Sequence, residues 1–197
     1  MPGRRSAAAV PGPQPPEPWP GVRHCHGFTN CAPQQRRYTI IGVGKYQPMS
    51  EDCLTLNVVT PESVGDQALP VLVFIHGGGY ILGSSATPLY DGAGLARRGC
   101  VYVSVNYRLG ALGCLDLSSL STPEITIDSN LFLRDLVMAL RWVRDNIAVF
   151  GGDRATSPFS GKRRCPRCRH AARRACGQRS FPSGYFRKPG KRDGAFS

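Results

Sequence analysis

Two short, continuous apolar runs stand out along the chain. Residues 69–75 read Leu-Pro-Val-Leu-Val-Phe-Ile, the pattern of a strand covered on both faces. Residues 101–107 form a second run, rich in β-branched and aromatic side chains, and predict a second buried strand. Upstream, residues 53–60 alternate apolar and polar positions, as a half-buried strand does. Between the two runs, 91–98 predicts a short helix ended by Gly99. Over 131–149 the period changes. Leu133, Leu136, Val137, Leu140, Val143 and Ile147 follow the three-and-four spacing of one helical face. Asp128 or Ser129 is placed to cap the start of this helix, and Gly151 with Gly152 to end it. Strand, loop, strand and helix in this order predict an α/β fold, a mostly parallel sheet with flanking helices.

The flanks lack any such period. Residues 1–20 are dense in Pro and Gly and predict extended or disordered chain. After Asp153 the pattern stops. Ile, Leu and Val are absent from 154–197, where Arg, Pro, Gly, Cys and Ser dominate. Such a segment buries too little apolar area to offset its chain entropy, which predicts a disordered basic tail. The expected organisation is therefore 1–20, a folded body over 21–153, and the tail over 154–197.

Charge sharpens that division. A formal net charge of +12 suggests a nucleic-acid-binding protein when averaged over the chain. The tail, however, holds 13 Lys+Arg and one acid, Asp193, so 13 − 1 = 12 and the tail carries the whole excess. The body is neutral, with 25 − 13 = 12 basic and 13 − 1 = 12 acidic residues, and no nucleic-acid partner is expected of it. No run of 18 apolar residues occurs, so no membrane span is expected. The apolar stretch near the N-terminus, Ala-Ala-Ala-Val, is too short for a signal peptide, which makes a cytoplasmic location the default.

The densest local chemistry is His76-Gly77-Gly78-Gly79, directly after the first buried run. Acyl transfer builds a negative oxygen in its transition state, and backbone N–H groups aimed at that oxygen stabilise it. Glycines allow a backbone path that turns those groups outward with no Cβ in the way. A strand followed by HGGG is the oxyanion loop of lipases and esterases. On the four letters alone, a plain flexible turn is an equal alternative.

The surroundings decide between them. Residues 50–58, Ser-Glu-Asp-Cys-Leu-Thr-Leu-Asn-Val, resemble the SEDCLxLNV signature of the type-B carboxylesterases. Residues 69–80 resemble the same family's LPVxVxIHGGGF strand and loop, and 103–110 its VxxNYRLG segment. Residues 130–153 resemble its helix and FGGD turn, while Pro18-Trp19 and 31–34 resemble its PW…CPQ stretch. Five segments in the right order span about 140 residues of the chain.

The resemblance implies the N-terminal part of an α/β-hydrolase that cleaves small-molecule carboxylic esters without a cofactor. It implies oxyanion-hole N–H groups at Gly78 and Gly79. It makes His76 a structural loop residue, not the base. It also implies a disulfide between Cys31 and Cys53, which needs an oxidising compartment; two free buried cysteines are the alternative. Asp116 and Asp135 are isolated carboxylates, expected to be solvated or helix-bound rather than catalytic.

The resemblance stops after Asp153. There the family continues PxNVTxFGESAG, with the nucleophile on a strained elbow and the acid and histidine far downstream. This chain contains no G-x-S-x-G, and Ser160, though followed by Gly161, lacks the elbow. The genetic code offers a cause. The string D-P-G-N-V-T-I-F-G-E can be written GAC CCG GGC AAC GTC ACC ATT TTC GGG GAA. Deleting one C after GAC yields Asp-Arg-Ala-Thr-Ser-Pro-Phe-Ser-Gly, which is residues 153–161. Reaching Lys162-Arg163-Arg164-Cys165 needs one more lost G, and the tail then reads as out-of-frame translation. A hydrolase body lacking nucleophile, acid and base is expected to be inactive on esters. It is also expected to be poorly soluble, with residues 101–107 beside an open sheet edge.

Two other readings carry different chemistry. Cys165, Cys168, His170 and Cys176 have zinc-knuckle spacing within a basic, phosphate-binding segment. Against this, the tail lacks the apolar residues that small zinc modules pack around their metal. A noncatalytic hydrolase-fold interaction protein would normally retain the whole domain. A phosphate-binding P-loop is excluded, because neither Gly44-Lys45 nor Gly161-Lys162 has the glycine required five residues earlier.

Overall fold

The two apolar runs become neighbouring strands. The computed structural model describes residues 11–25, 27–62, 67–155 and 159–161. In chain order these form β1 (Ile40–Gly42), β2 (Lys45–Tyr46), β3 (Leu56–Val59), β4 (Val71–Ile75), α1 (Ala93–Ala96), β5 (Val101–Val105), α2 (Gly110–Cys114), α3 (Leu131–Asn146) and β6 (Phe159–Gly161). Short 3-10 turns at Pro88–Tyr90 and Ile147–Phe150 lie just before α1 and just after α3.

The main sheet runs in the order β3-β5-β4-β6. Strands β4 and β5 are parallel, with Val71 opposite Val101 and Ile75 opposite Val105. Strand β6 joins the other edge of β4 in parallel, Phe159 opposite Val73 and Gly161 opposite Ile75. Strand β3 is antiparallel to β5, so the sheet is mixed. β1 and β2 pair separately as a small hairpin.

All five residues of β5 are buried. This corrects the expectation that 101–107 flank an open edge, because β5 is paired on both sides. The edges among the described strands are β3 and β6. Residues 159–161 also depart from expectation, since a segment with no period nonetheless supplies a strand. An edge strand needs only backbone N–H and C=O groups in register, and that demand leaves little trace in side-chain pattern.

The core forms where the α3 stripe meets the sheet. Val71, Val73, Val103 and Val105 cluster with Phe132, Leu136, Leu140, Val143 and Ile147. Burying each such side chain contributes roughly 1.5–3 kcal/mol. Alternation along the strands turns Phe74 and Tyr102 to the opposite face. There Phe74 lies 4.8 Å from the Tyr90 ring and 6.0 Å from that of Tyr102. Gly92, just before α1, is packed so closely on Tyr102 that a Cβ would run into the ring. Helical segments therefore cover both faces.

The start of α3 differs from the expected cap. Asn130, with φ 54°, is the cap residue, and no side-chain hydrogen bond caps the helix. Asp128 is engaged elsewhere: its carboxylate pairs with Arg134 at 3.1 Å and accepts the Gly12 N–H at 2.7 Å. α3 itself ends at Asn146 with Ile147 as its cap residue, and the expected glycines instead close the 3-10 turn Ile147–Phe150 that follows. Gly151 takes φ 78°, and the Gly152 N–H donates to Ile147 O at 3.0 Å. The turn docks on the sheet, because Leu69 N donates to Gly151 O and Asp153 N to Leu69 O.

Residues 11–20 carry no helix or strand, but Pro11 and Gly12 are tied to the body. The Pro11 carbonyl accepts from Arg108 at 2.9 Å. No helix among the described residues is long and apolar enough to cross a membrane.

Candidate active site

Parallel strands β4 and β5 end at the same edge of the sheet, and the glycine loop leaves from there. Its first residue, His76, is 3% exposed. The imidazole stacks on Tyr107, ring centroids 4.5 Å apart, and Nδ1 lies 3.0 Å from Gly77 O. Burial pushes the His76 pKa down to about 4, outweighing the raising effect of that hydrogen bond. A buried, neutral, stacked histidine fits the structural role expected of it.

The next glycines are required by geometry. Gly78 has φ +129°, and a Cβ there would collide with the Leu82 carbonyl oxygen. Gly79 has φ +64° with open space around it. Tyr80 also takes a positive φ of 66°, strained for a residue with a side chain. Its place is fixed from two sides. The ring meets Phe132 of α3 at 4.9 Å, and its carbonyl accepts the Gly110 N–H at 2.6 Å. The loop then folds back, with Ile81 N and Leu82 N both donating to Gly78 O, at 3.1 and 3.2 Å. Neither the Gly78 nor the Gly79 N–H donates to another described residue.

An open, mostly apolar groove of about 370 Å³ lies beside Gly79, lined by Tyr80, Ile81, Ala111, Cys114 and Leu115 among others. It is a surface on which the apolar part of a small molecule could rest while a polar group faces the glycines.

The other singled-out residues are spread over the fold. Asp116 is exposed, and hydrogen bonds from the Ser118 hydroxyl and N–H hold its carboxyl below the usual range. Asp135 is not solvated. It is 3% exposed, and Arg108 grips both carboxylate oxygens, at 2.6 Å through Nη2 and 2.9 Å through Nε. The Arg108 N–H adds a third donor at 3.0 Å. The sequence hides this pair, because the partners lie 27 residues apart. Cys31 and Cys53 are both buried and stand as free thiols. Burial, with the Asp135 charge second, pushes Cys53 up to about 12. Ser160 lies on β6, opposite Phe74. Cys165, Cys168, His170 and Cys176 fall outside the described residues. Among the described residues, no group of three or more His, Cys, Asp or Glu side chains is placed to hold a metal.

Comparison with known proteins decides the lineage. The profile described as "Carboxylesterase family" matches residues 11–157. The chain belongs to the carboxylesterase family. It is 42% identical to the para-nitrobenzyl esterase of Bacillus subtilis (strain 168) over 142 residues, 72% of this chain and 28% of that protein. It is 41% identical to the fumonisin B1 esterase of Sphingopyxis macrogoltabida over 143 residues, 72% of this chain and 26% of that one. A solved PNB esterase superposes with a TM-score of 0.71 at 40% identity, covering 78% of this chain and 31% of its own. The fold is thus that of the α/β-hydrolase carboxylesterases. The chain spans under a third of the length of these relatives.

Proposed function

We propose that this carboxylesterase chain carries the oxyanion half of a serine-esterase site, acting on small-molecule carboxylic esters. Gly78 and Gly79 supply the backbone N–H groups for the tetrahedral oxyanion. The observation that carries this is the loop itself: positive φ at both glycines, no room for a Cβ at Gly78, and two N–H groups that no other described residue uses. Donors fixed in advance by the fold need no reorganisation as charge develops, which is how such loops lower the barrier. Relatives named para-nitrobenzyl esterase and fumonisin B1 esterase support the substrate class.

The rest of the reading concerns residues 154–197, taken as out-of-frame. Restoring the frame aligns Gly161 with the first glycine of GESAG. The nucleophile then falls at position 163, where this chain has Arg163. The register supports it: Gly161, the last residue of β6, lies opposite Ile75, the residue just before the glycine loop. With no G-x-S-x-G to hold a nucleophile, the 197 residues as written hydrolyse no ester. The Cys31–Cys53 disulfide belongs to the same proposal, as a state reached only in an oxidising compartment.

The test is to resequence the gene across the codons for 150–197 and to assay both products on a para-nitrophenyl ester. The restored protein is expected to turn over, and the chain as written to stay at background. Hydrolysis above background by the chain as written, or an inactive restored protein, would overturn the reading.

A further inference from the structure

Residues 83–86 are buried without belonging to a helix or strand. Buried backbone must find hydrogen-bond partners, and here much of the supply comes from side-chain carboxamides. The Gly83 N–H donates to Gln34 Oε1 at 2.8 Å, and Gln34 Nε2 donates to Gly83 O at 2.8 Å. One carboxamide thus satisfies both polar groups of Gly83, as a neighbouring strand would. Gln34 Nε2 also donates to Ala32 O at 3.1 Å, which anchors it to its own segment. The Ser85 N–H donates to Asn106 Oδ1 at 2.9 Å. Ser84 Oγ donates to Gln47 Oε1 at 2.5 Å, and Gln47 Nε2 donates to Thr29 O at 2.7 Å.

Gly83 also touches the chemistry. With φ +116°, it packs so tightly that a Cβ would lie 2.5 Å from His76 Nδ1 and 2.6 Å from Gly77 O. One residue earlier, the Leu82 carbonyl fills the space over Gly78. The outgoing leg of the loop, 76–79, is therefore packed back-to-back on the returning leg, 82–83. Whatever fixes the returning leg also fixes the two glycine N–H groups.

We infer that Gln34 is a positioning residue for the oxyanion loop: its carboxamide clamps Gly83 and, through the Leu82 peptide, holds Gly78 and Gly79 in their donor geometry. This rests on the proposed role of those glycines, but the clamp can be read without catalysis. Gln34→Glu keeps the size and the acceptor and removes the donor to Gly83 O and to Ala32 O. Gln34→Ala removes both.

The experiment is hydrogen–deuterium exchange on the chain as written, at low concentration, comparing wild type with Q34E and Q34A. Exchange of residues 77–86 is expected to rise roughly tenfold to hundredfold, the equivalent of the lost hydrogen bonds. Exchange of β4 and β5 stays unchanged. Wild-type exchange in 77–86 in both variants would overturn the inference. So would global unfolding of Q34E, because the residue would then hold the fold at large and not the loop. In the frame-restored protein, Q34E is expected to lower kcat about tenfold or more at near-constant KM, the mark of a lost transition-state interaction. An equal kcat with a raised KM would overturn it. An inactive restored wild type would sink the esterase reading and leave the exchange result standing.

Discussion

The hydroxyl of Tyr107 donates a 2.9 Å hydrogen bond to the main-chain carbonyl of His76, joining the chain just after β5 to the first residue of the glycine loop. Both residues are buried, so no water replaces the donor when it is removed. Tyr107→Phe should keep the ring stack and leave the carbonyl unpaired, at a cost of about 1–3 kcal/mol. Urea denaturation measures it, and a loss under a few tenths would mean that the carbonyl finds another partner.

Arg108 and Asp135 are a second tie, between the segment after β5 and helix α3. The Asp135 side chain is 1% exposed and that of Arg108 14%. Asp135→Leu alone should cost roughly 3–5 kcal/mol, because it strands a buried guanidinium. The double variant R108M/D135L should recover most of that loss. Thermal melts of the two proteins decide the point, and equal destabilisation would show that the charge is not what matters.

Adjacent glycines should respond differently to the same methyl group. Gly79→Ala meets open space and suffers only the left-handed backbone penalty, roughly 1–2 kcal/mol. Gly78→Ala drives a Cβ into the Leu82 carbonyl and should cost about 3 kcal/mol or more, with rearrangement of the loop. Similar melting temperatures for the two variants would contradict the loop geometry.

Acid should loosen the loop through His76. Its folded pKa is about 4 against an ordinary 6.5, so between these values the unfolded chain binds a proton that the folded chain refuses. This contribution is complete above pH 6.5 and is lost as pH falls toward 4, a decline on the order of 3 kcal/mol. The urea midpoint should drop between about pH 6.5 and 4.5, and NMR should find the His76 ring still neutral near pH 5. A ring titrating near its ordinary value would refute the burial.

Thiol reactivity should sort by depth. Cys25 and Cys114 are exposed, whereas Cys31 and Cys53 are buried, with Cys53 pushed up to about 12. In the reduced native protein at about pH 8, iodoacetamide should modify Cys25 and Cys114 and spare Cys31 and Cys53, because the thiolate is the nucleophile. Mass spectrometry of the labelled peptides reads this directly.

Much of this was legible in the pattern of side chains. The runs at 69–75 and 101–107 became β4 and β5, and the stripe from Leu133 to Ile147 marked the helix that covers them. Family motifs led to the glycine loop and to membership. Neighbour relations were harder. An apolar run says that a strand is buried, not which strands flank it, so the central place of β5 has no signal in the run itself. Asp135 looked isolated because its partner is distant in the chain. Gln34 and Gln47 look like ordinary surface residues, and only the folded chain brings them against 83–85. The short strand β6 rests on backbone register, which Phe-Ser-Gly does not advertise.

The strand order also implies a sequence of events during synthesis. Val71 and Val101, the first partners of the central pair, are 30 residues apart, whereas β6 reaches β4 only after another 58 from Val101 to Phe159. Closing the shorter crossover costs less entropy, and α3 emerges in time to cover the new surface. Strands β3, β4 and β5 can therefore assemble as a nascent nucleus while the ribosome is still making the remainder of the chain. Strand β6, an edge among the described strands, docks onto a platform already built and is the first of them to peel away when the sheet is stressed.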